Sequence, residues 1–141
     1  MRTEELAAEV LHRLAACGLT LATAESCTGG LIGKLLTDIP GSSAVYMGGV
    51  VSAQTLSAYT AVSRQTAVEM AKGAREAARA GVGVSVTGLA GPDGDGTGRP
   101  IGLVYIAMDM EHFSFNKELH LTGSRAQIRE EAARAVFEML L

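Results

Sequence analysis

Apolar residues recur at helical spacing near the start of the chain, where Leu6, Val10, Leu14 and Cys17 share one face of residues 3–17. Thr3 is placed to cap this helix, Glu4 and Glu5 suit the positive end of its dipole, and Gly18 is placed to end it. LTLAT (19–23) predicts a short strand, and residues 31–36 predict the start of a second helix. DIPGSS (38–43) is turn chemistry, and AVYMGGVVS (44–52) predicts another strand. Gly48 and Gly49 inside it imply a bulge or a close backbone approach. An alanine-rich helix is expected over 63–80, with Ser63 as its cap and Gly81 as its stop. VGVSVT (82–87) has the nearly continuous apolar run of a strand buried on both faces. LVYIAMD (103–109) and HFSFNKELHL (112–121) read as an antiparallel hairpin. Ser124 and Gln127 then form a capping box that opens a last helix running to the C-terminus.

The resulting order, α-β-α-β-α-β-β-β-α, predicts a single three-layer α/β/α domain with a mixed sheet, parallel early and antiparallel late. A length of 141 residues suits one stand-alone domain, 1–141, without repeats or linker. Aromatic residues make up only 4% and Trp is absent, so the core has to be built from Ala, Val, Leu, Ile and Met. The net charge of −3 and the lack of any basic run argue against nucleic-acid binding. Cys17 and Cys27 make neither a disulfide framework nor a zinc spacing, so no metal or other cofactor is expected. No leader-like start and no membrane-length apolar run is visible, which predicts a soluble, cytoplasmic protein with no membrane partner.

Three stretches carry candidate chemistry. In TAESCTGG (23–30) the chain passes from a strand through Ser26, Cys27, Thr28, Gly29 and Gly30 into a helix. Such a turn aims free N–H groups at an anion or a developing oxyanion, and a serine or cysteine there is a candidate nucleophile. The plainer reading is that Ser26 or Thr28 only caps the helix. Between Gly88 and Gly102 lie six glycines, counting both ends, in a loop that matches neither a P-loop nor GxGxxG. Thr87, Gly88 and Gly91 would bring backbone N–H groups to a ligand at the carboxyl edge of the sheet, whereas the GDGTG part suits a plain surface loop. In GSRAQIR (123–129), Arg125 and Arg129 lie four apart at a helix start, where cations oppose the dipole. Either they bind a carboxylate or phosphate, or they belong to a solvated charged face. Ser114 and Lys117 fit a Ser-x-x-Lys string, but strand alternation sends them to opposite faces. His12, His112 and His120 lie away from the glycine turns, so no Ser-His-Asp triad is available.

AESCTGG, TDIPGSSAVY, GGVV, AVS, VTGLAGPDG and GSRAQIR occur in the order seen in the CinA C-terminal domain family, which this chain resembles over nearly its whole length. The family includes nicotinamide-nucleotide amidohydrolases, also called nicotinamide mononucleotide deamidases. The resemblance implies metal-free hydrolysis of the carboxamide of nicotinamide mononucleotide, giving nicotinate mononucleotide and ammonia. It implies Ser26 as nucleophile, with Cys27 as its neighbour and Thr28, Gly29 and Gly30 around the oxyanion or phosphate. Thr87, Gly88, Gly91 and Arg125 match substrate-binding positions. A small-molecule nucleotide is the implied partner, and a homo-oligomer is the implied assembly.

One departure changes the picture. After GGVV the family continues with Tyr-Ser-Asn-x-x-Lys and a further helical stretch. Here the chain reads GGVVSAQTLSAYTAVS, shorter and without a lysine between Lys34 and Lys72. In the family that tyrosine and lysine complete the site, the lysine as the serine's base. Tyr59 is the stand-in for the tyrosine, and Lys34, one turn inside the second helix, is the nearest substitute for the lysine. Two expectations follow: an amidohydrolase of low activity, or a catalytically impaired paralogue that binds a nucleotide without turning it over.

Overall fold

The computed structural model describes residues 1–51, 62–92 and 100–141, with Val51 described by its backbone alone. The elements in chain order are α1 (Thr3–Ala16), β1 (Leu21–Glu25), α2 (Leu31–Thr37), a 3₁₀ turn (Ser42–Ala44), β2 (Tyr46–Val51), α3 (Arg64–Ala78), β3 (Val82–Gly88), β4 (Leu103–Met110), β5 (Phe113–His120) and α4 (Arg125–Leu140). The strands form one sheet of order β2-β1-β3-β4-β5. β1 runs parallel to β2 and β3, and the β3–β4 and β4–β5 pairs are antiparallel. The single α/β domain with a mixed sheet is therefore the architecture that the apolar pattern predicts.

Each face of the sheet is covered for a different reason. On one face α1, α2 and α4 enclose the main core, where Val10, Leu36, Val84, Ile106 and Phe137 are at most 1% exposed. On the other, α3 lies against small residues: Ala67 and Ala71 pack on Ala107 of β4, and Ala74 packs on Ala22 of β1. A Cβ at Gly83 would overlap the Ala71 carbonyl, and the Ser85 hydroxyl donates to the Ala67 carbonyl at 2.5 Å. Small side chains thus let a helix approach the strands closely, which is how a core with so few aromatics is filled. At the far end of α3, Arg75 Nε donates to Asp109 Oδ2 at 2.6 Å and ties the helix to β4.

Several boundaries differ from the sequence reading. Arg2, not Thr3, is the cap of α1, and Thr3 is the buried first helical residue. α3 ends at Ala78 because Arg79 turns the chain in the left-handed region, with φ +52°. Gly81 lies beyond that stop, where its N–H donates to Thr20 Oγ1 and an added Cβ would come within 3.0 Å of the Leu19 side chain. β1 starts two residues later than the apolar run suggests and extends through Glu25, which has ladder partners in both β2 and β3. The bulge expected in β2 is present: the register shifts between Leu21↔Tyr46 and Ala22↔Gly48. Gly49 is also a close approach, since a Cβ there would overlap Thr23 Oγ1 and the Tyr46 hydroxyl, which hydrogen-bond each other at 2.7 Å.

Gly49→Ala is therefore expected to cost about 1–3 kcal/mol through overpacking. Gly73→Ala, inside α3 with nothing within 4 Å of the new methyl, is expected to gain about 0.5–1 kcal/mol from helix propensity. Urea denaturation of both variants measures this, and a Gly49→Ala protein as stable as wild type would contradict the packing described.

Candidate functional site

The site is built where β1 and β3 end side by side. The chain leaves β1 at Glu25, and Ser26 continues the ladder by donating its N–H to the Val86 carbonyl at 3.1 Å. Its hydroxyl donates to the same carbonyl at 3.4 Å, and among the described residues it has no other hydrogen bond. The turn then closes on itself, Gly29 N–H to Ser26 O at 3.0 Å and Leu31 N–H to Thr28 O at 3.1 Å. Gly29 and Gly30 carry φ of +61° and +95°, a region that favours glycine.

The residue that organises this turn is Glu25, which the sequence reading did not single out. It is 2% exposed. Its Oε1 accepts from the Thr28 hydroxyl at 2.7 Å and from Ile32 N–H at 2.9 Å, and its Oε2 accepts from Gly33 N–H at 3.1 Å. Burial of a carboxylate is costly unless such donors surround it. Neither Ser26 nor Thr28 caps α2: its cap residue is Gly30, with no side-chain cap bond, and the free N–H groups are taken from behind by Glu25. The N-terminus of this short helix is therefore already engaged by an internal anion. The backbone left to face a ligand is that of the turn itself.

Two arginines of α4 brace the surrounding backbone. Arg129 Nη2 donates to the Thr28 carbonyl at 2.8 Å, and it lies so near Gly29 that a Cβ there would come within 2.9 Å of it. Arg125 Nη1 donates to the Gly91 carbonyl at 2.5 Å, which joins α4 to the loop after β3. Arg129 Nε is buried and has no hydrogen-bond partner among the described residues. Their spacing of four residues places one arginine on each glycine turn, which accounts for cations at a helix start. Gly91, with φ +83°, allows the loop to bend there. Gly88 has a packing role, since a Cβ would press on the Leu103 carbonyl and Val104 of the neighbouring strand. Between the two turns lies Thr87, fully buried, whose hydroxyl has no hydrogen-bond partner among the described residues. A buried hydroxyl is ordinarily paired in a native fold, which makes Thr87 a candidate contact for a ligand.

The other candidates are placed as follows. Cys27 is 8% exposed, and burial pushes its thiol up to about 12, so the reactive thiolate is absent at neutral pH. Lys34 is exposed and paired with Asp38 at 2.7 Å, an interaction that raises its pKa and keeps it an ammonium. It lines a cleft of about 320 Å³ with Glu4, Leu35 and Glu130, between α1, α2 and α4, and does not bond Ser26. Tyr59 lies outside the described residues. No group of three or more His, Cys, Asp or Glu side chains is placed to share a metal ion among the described residues, and none of their helices is long and apolar enough to cross a membrane.

The fold and site define a three-layer α/β domain that presents a serine on a glycine-rich strand–helix turn at the carboxyl edge of its parallel strands. The model of the CinA C-terminal domain matches residues 3–141, and the chain belongs to that family. A CinA-like protein of Myxococcus xanthus is 43% identical over 152 residues, covering 98% of this chain and 36% of that protein. A relative from Acetivibrio thermocellus is 43% identical over 150 residues, covering 97% and 36%. The chain thus spans about a third of the length of these relatives. Among solved structures, the competence/damage inducible protein CihA from Agrobacterium tumefaciens superposes with a TM-score of 0.89 at 40% identity, covering 98% of this chain and 93% of that one. The competence damage-inducible protein A (ComA) from Klebsiella pneumoniae gives 0.91 at 33%, covering 99% and 95%.

Removal of the Glu25 carboxylate is expected to loosen the turn. Glu25→Ala should lose about 1–3 kcal/mol of stability, the usual cost of stranding buried donors. Ile32 and Gly33 amides should exchange with solvent faster, and unchanged protection would contradict the role given to Glu25. A thiol reagent at pH 8 should modify exposed Cys17 in the native protein and Cys27 only after unfolding, because at that pH the Cys27 group is still the unreactive thiol. Reaction of both cysteines in the folded protein would contradict that assignment.

Proposed function

We propose that this chain binds nicotinamide mononucleotide at the Ser26 turn and hydrolyses its carboxamide slowly to nicotinate mononucleotide and ammonia. The observation that carries the reading is the Ser26 turn itself, a hydroxyl held between two arginine-braced glycine turns in a member of the CinA C-terminal domain family. In this reading the Ser26 oxygen attacks the carboxamide carbon and the C–N bond breaks as ammonia leaves with the serine's proton. Water then cleaves the acyl-serine ester to release the carboxylate. Backbone N–H groups of Cys27, Thr28 and Gly30, which the turn's own bonds leave over, stabilise the oxyanion, and the Thr87 hydroxyl supplies a bond to the bound nucleotide. Arg125, already anchored on Gly91 through one nitrogen, keeps the rest of its guanidinium for the phosphate.

The rate is set by what removes the serine's proton. Among the described residues the hydroxyl bonds only a backbone carbonyl, and SAQTLSAYTA (52–61) contains no Asp, Glu, His or Lys. Loss of general-base assistance typically costs ~10²–10⁴-fold. The same observation favours a second reading, a protein that binds the nucleotide and does not turn it over.

Ammonia release from nicotinamide mononucleotide decides between them. Slow release that disappears in Ser26→Ala, with nucleotide binding within a few fold of wild type, is the expected result. Binding without release would establish the second reading, and release that survives in Ser26→Ala would remove Ser26 as nucleophile.

A further inference from the structure

α3 runs against β3 in the opposite direction, and three contacts fix which of their residues lie level. A Cβ at Gly83 would meet Ala71 and Arg75, and the Ser85 hydroxyl donates to the Ala67 carbonyl. The Arg64 guanidinium lies over the ring of Tyr105, 5.7 Å from its centre. Two residues of strand advance about as far as four of helix, roughly 6–7 Å. Thr87 therefore lies level with Ser63, the cap of α3, and its partner in β4 is that same Tyr105. Alternation puts Thr87 on the α3 face with Ser85. Ser26, which extends the β1 ladder beside it, follows Ala22 and Ala24 onto that face. The positive end of α3 thus opens on the Ser26 and Thr87 hydroxyls. That end is uncompensated. Ser63 takes the Thr66 N–H through its hydroxyl and the Ala67 N–H through its carbonyl. The N–H groups of Arg64 and Gln65 have no hydrogen-bond partner among the described residues, and the first turn holds no acidic residue. The Thr87 hydroxyl, fully buried, faces this corner and likewise has no partner among the described residues.

We propose that the first turn of α3 and the Thr87 hydroxyl form a carboxylate subsite beside Ser26, so that the site holds the acid form of its pyridine mononucleotide more tightly than the amide form. The inference rests on the reading of the Ser26 turn as a nicotinamide mononucleotide site, and adds which end state of the reaction that site prefers. A carboxylate offers only acceptors and a full negative charge, which suits the Arg64 and Gln65 N–H groups, the Thr87 hydroxyl and the helix dipole at once. A carboxamide brings no charge, and its NH2 group would set donors against donors at the helix end. Only the Thr87 hydroxyl, which can also accept, serves both forms. Hydrolysis breaks the C–N bond, adds the oxygen of water to the same carbon, and releases ammonia, which takes up the acid's proton as ammonium. The negative charge is then left where α3 points. The product is held after ammonia has gone, and it competes with the next substrate.

Calorimetric titration of nicotinate mononucleotide and of nicotinamide mononucleotide into the full chain carrying Ser26→Ala, which removes turnover, tests the subsite. The acid should bind about tenfold more tightly than the amide. Arg64→Ala, added to this chain, should leave that ratio unchanged, because it removes only a guanidinium turned away onto Asn116 and Glu118. Arg64→Pro removes the N–H as well. Proline is accommodated there, at the first helical position after a Ser63 that is already extended, with φ −151° and ψ 159°. With an unchanged circular dichroism spectrum, Arg64→Pro should lower the ratio several-fold relative to Arg64→Ala. Equal affinity for acid and amide in the Ser26→Ala chain, or a ratio that is the same in Arg64→Pro and Arg64→Ala, would overturn the subsite and leave the nucleotide site standing. Binding of neither nucleotide would remove the nucleotide reading itself, and the subsite with it.

Discussion

The carboxylate of Glu25 stands at the junction of everything that shapes the Ser26 turn. It sits at the end of a central strand, fully desolvated, and is tolerable there only because the Thr28 hydroxyl and the Ile32 and Gly33 amides converge on it. Those bonds fix where α2 begins and which way residues 26–30 fold, and so determine where the Ser26 hydroxyl lies. Because the carboxylate satisfies the helix from behind, the turn needs no Ser or Thr cap. The Ser26 hydroxyl is thereby left outside the capping scheme, and among the described residues it makes one long bond, to the Val86 carbonyl.

The second constraint comes from α4. Arg129 and Arg125 reach from one helix to two separate glycine turns, so the turns that follow β1 and β3 are tied to the same helix. A charged donor to a backbone carbonyl is stronger than a neutral one, and here it also sets spacing: the guanidinium of Arg129 fits only because residue 29 has no side chain. The outcome is a pre-shaped backbone cradle beside the buried Thr87 hydroxyl, which has no hydrogen-bond partner among the described residues. Such a cradle stands without any contribution from a catalytic base. The bonds that shape the turn come from Glu25, Arg125 and Arg129, and none of them depends on the short stretch after GGVV.

Much of the fold was legible because its signals are local. The Ser63 cap, the Ser124–Gln127 capping box and the tight β4–β5 hairpin are each written within a few residues, and the structure has all three. The end of β1 was not legible, because a glutamate finishing a buried strand contradicts the polarity rule unless its distant donors are known. The stop of α3 was missed for a related reason: Arg79 takes a left-handed conformation that composition assigns to a glycine, while Gly81 lies beyond it, where an added Cβ would come close to the Leu19 side chain. Within the candidate site, glycine spacing pointed to the two turns, and the structure brings Ser26, Thr87, Gly91 and Arg125 to one edge of the sheet. What the spacing could not reveal is that both arginines bind backbone carbonyls, since that depends on α4 crossing the ends of β1 and β3. The acidic residue just before Ser-Cys-Thr-Gly-Gly was the available clue to Glu25.

Calorimetric titration of nicotinamide mononucleotide into the wild-type chain and into Thr87→Val tests most directly the proposal that the turn receives this nucleotide with the Thr87 hydroxyl as one of its partners. The account predicts one nucleotide bound per chain, weakened about tenfold or more by a substitution that keeps the shape of the side chain and removes only its hydroxyl. Absence of binding by the wild-type chain, or equal affinity in the two proteins, would contradict it.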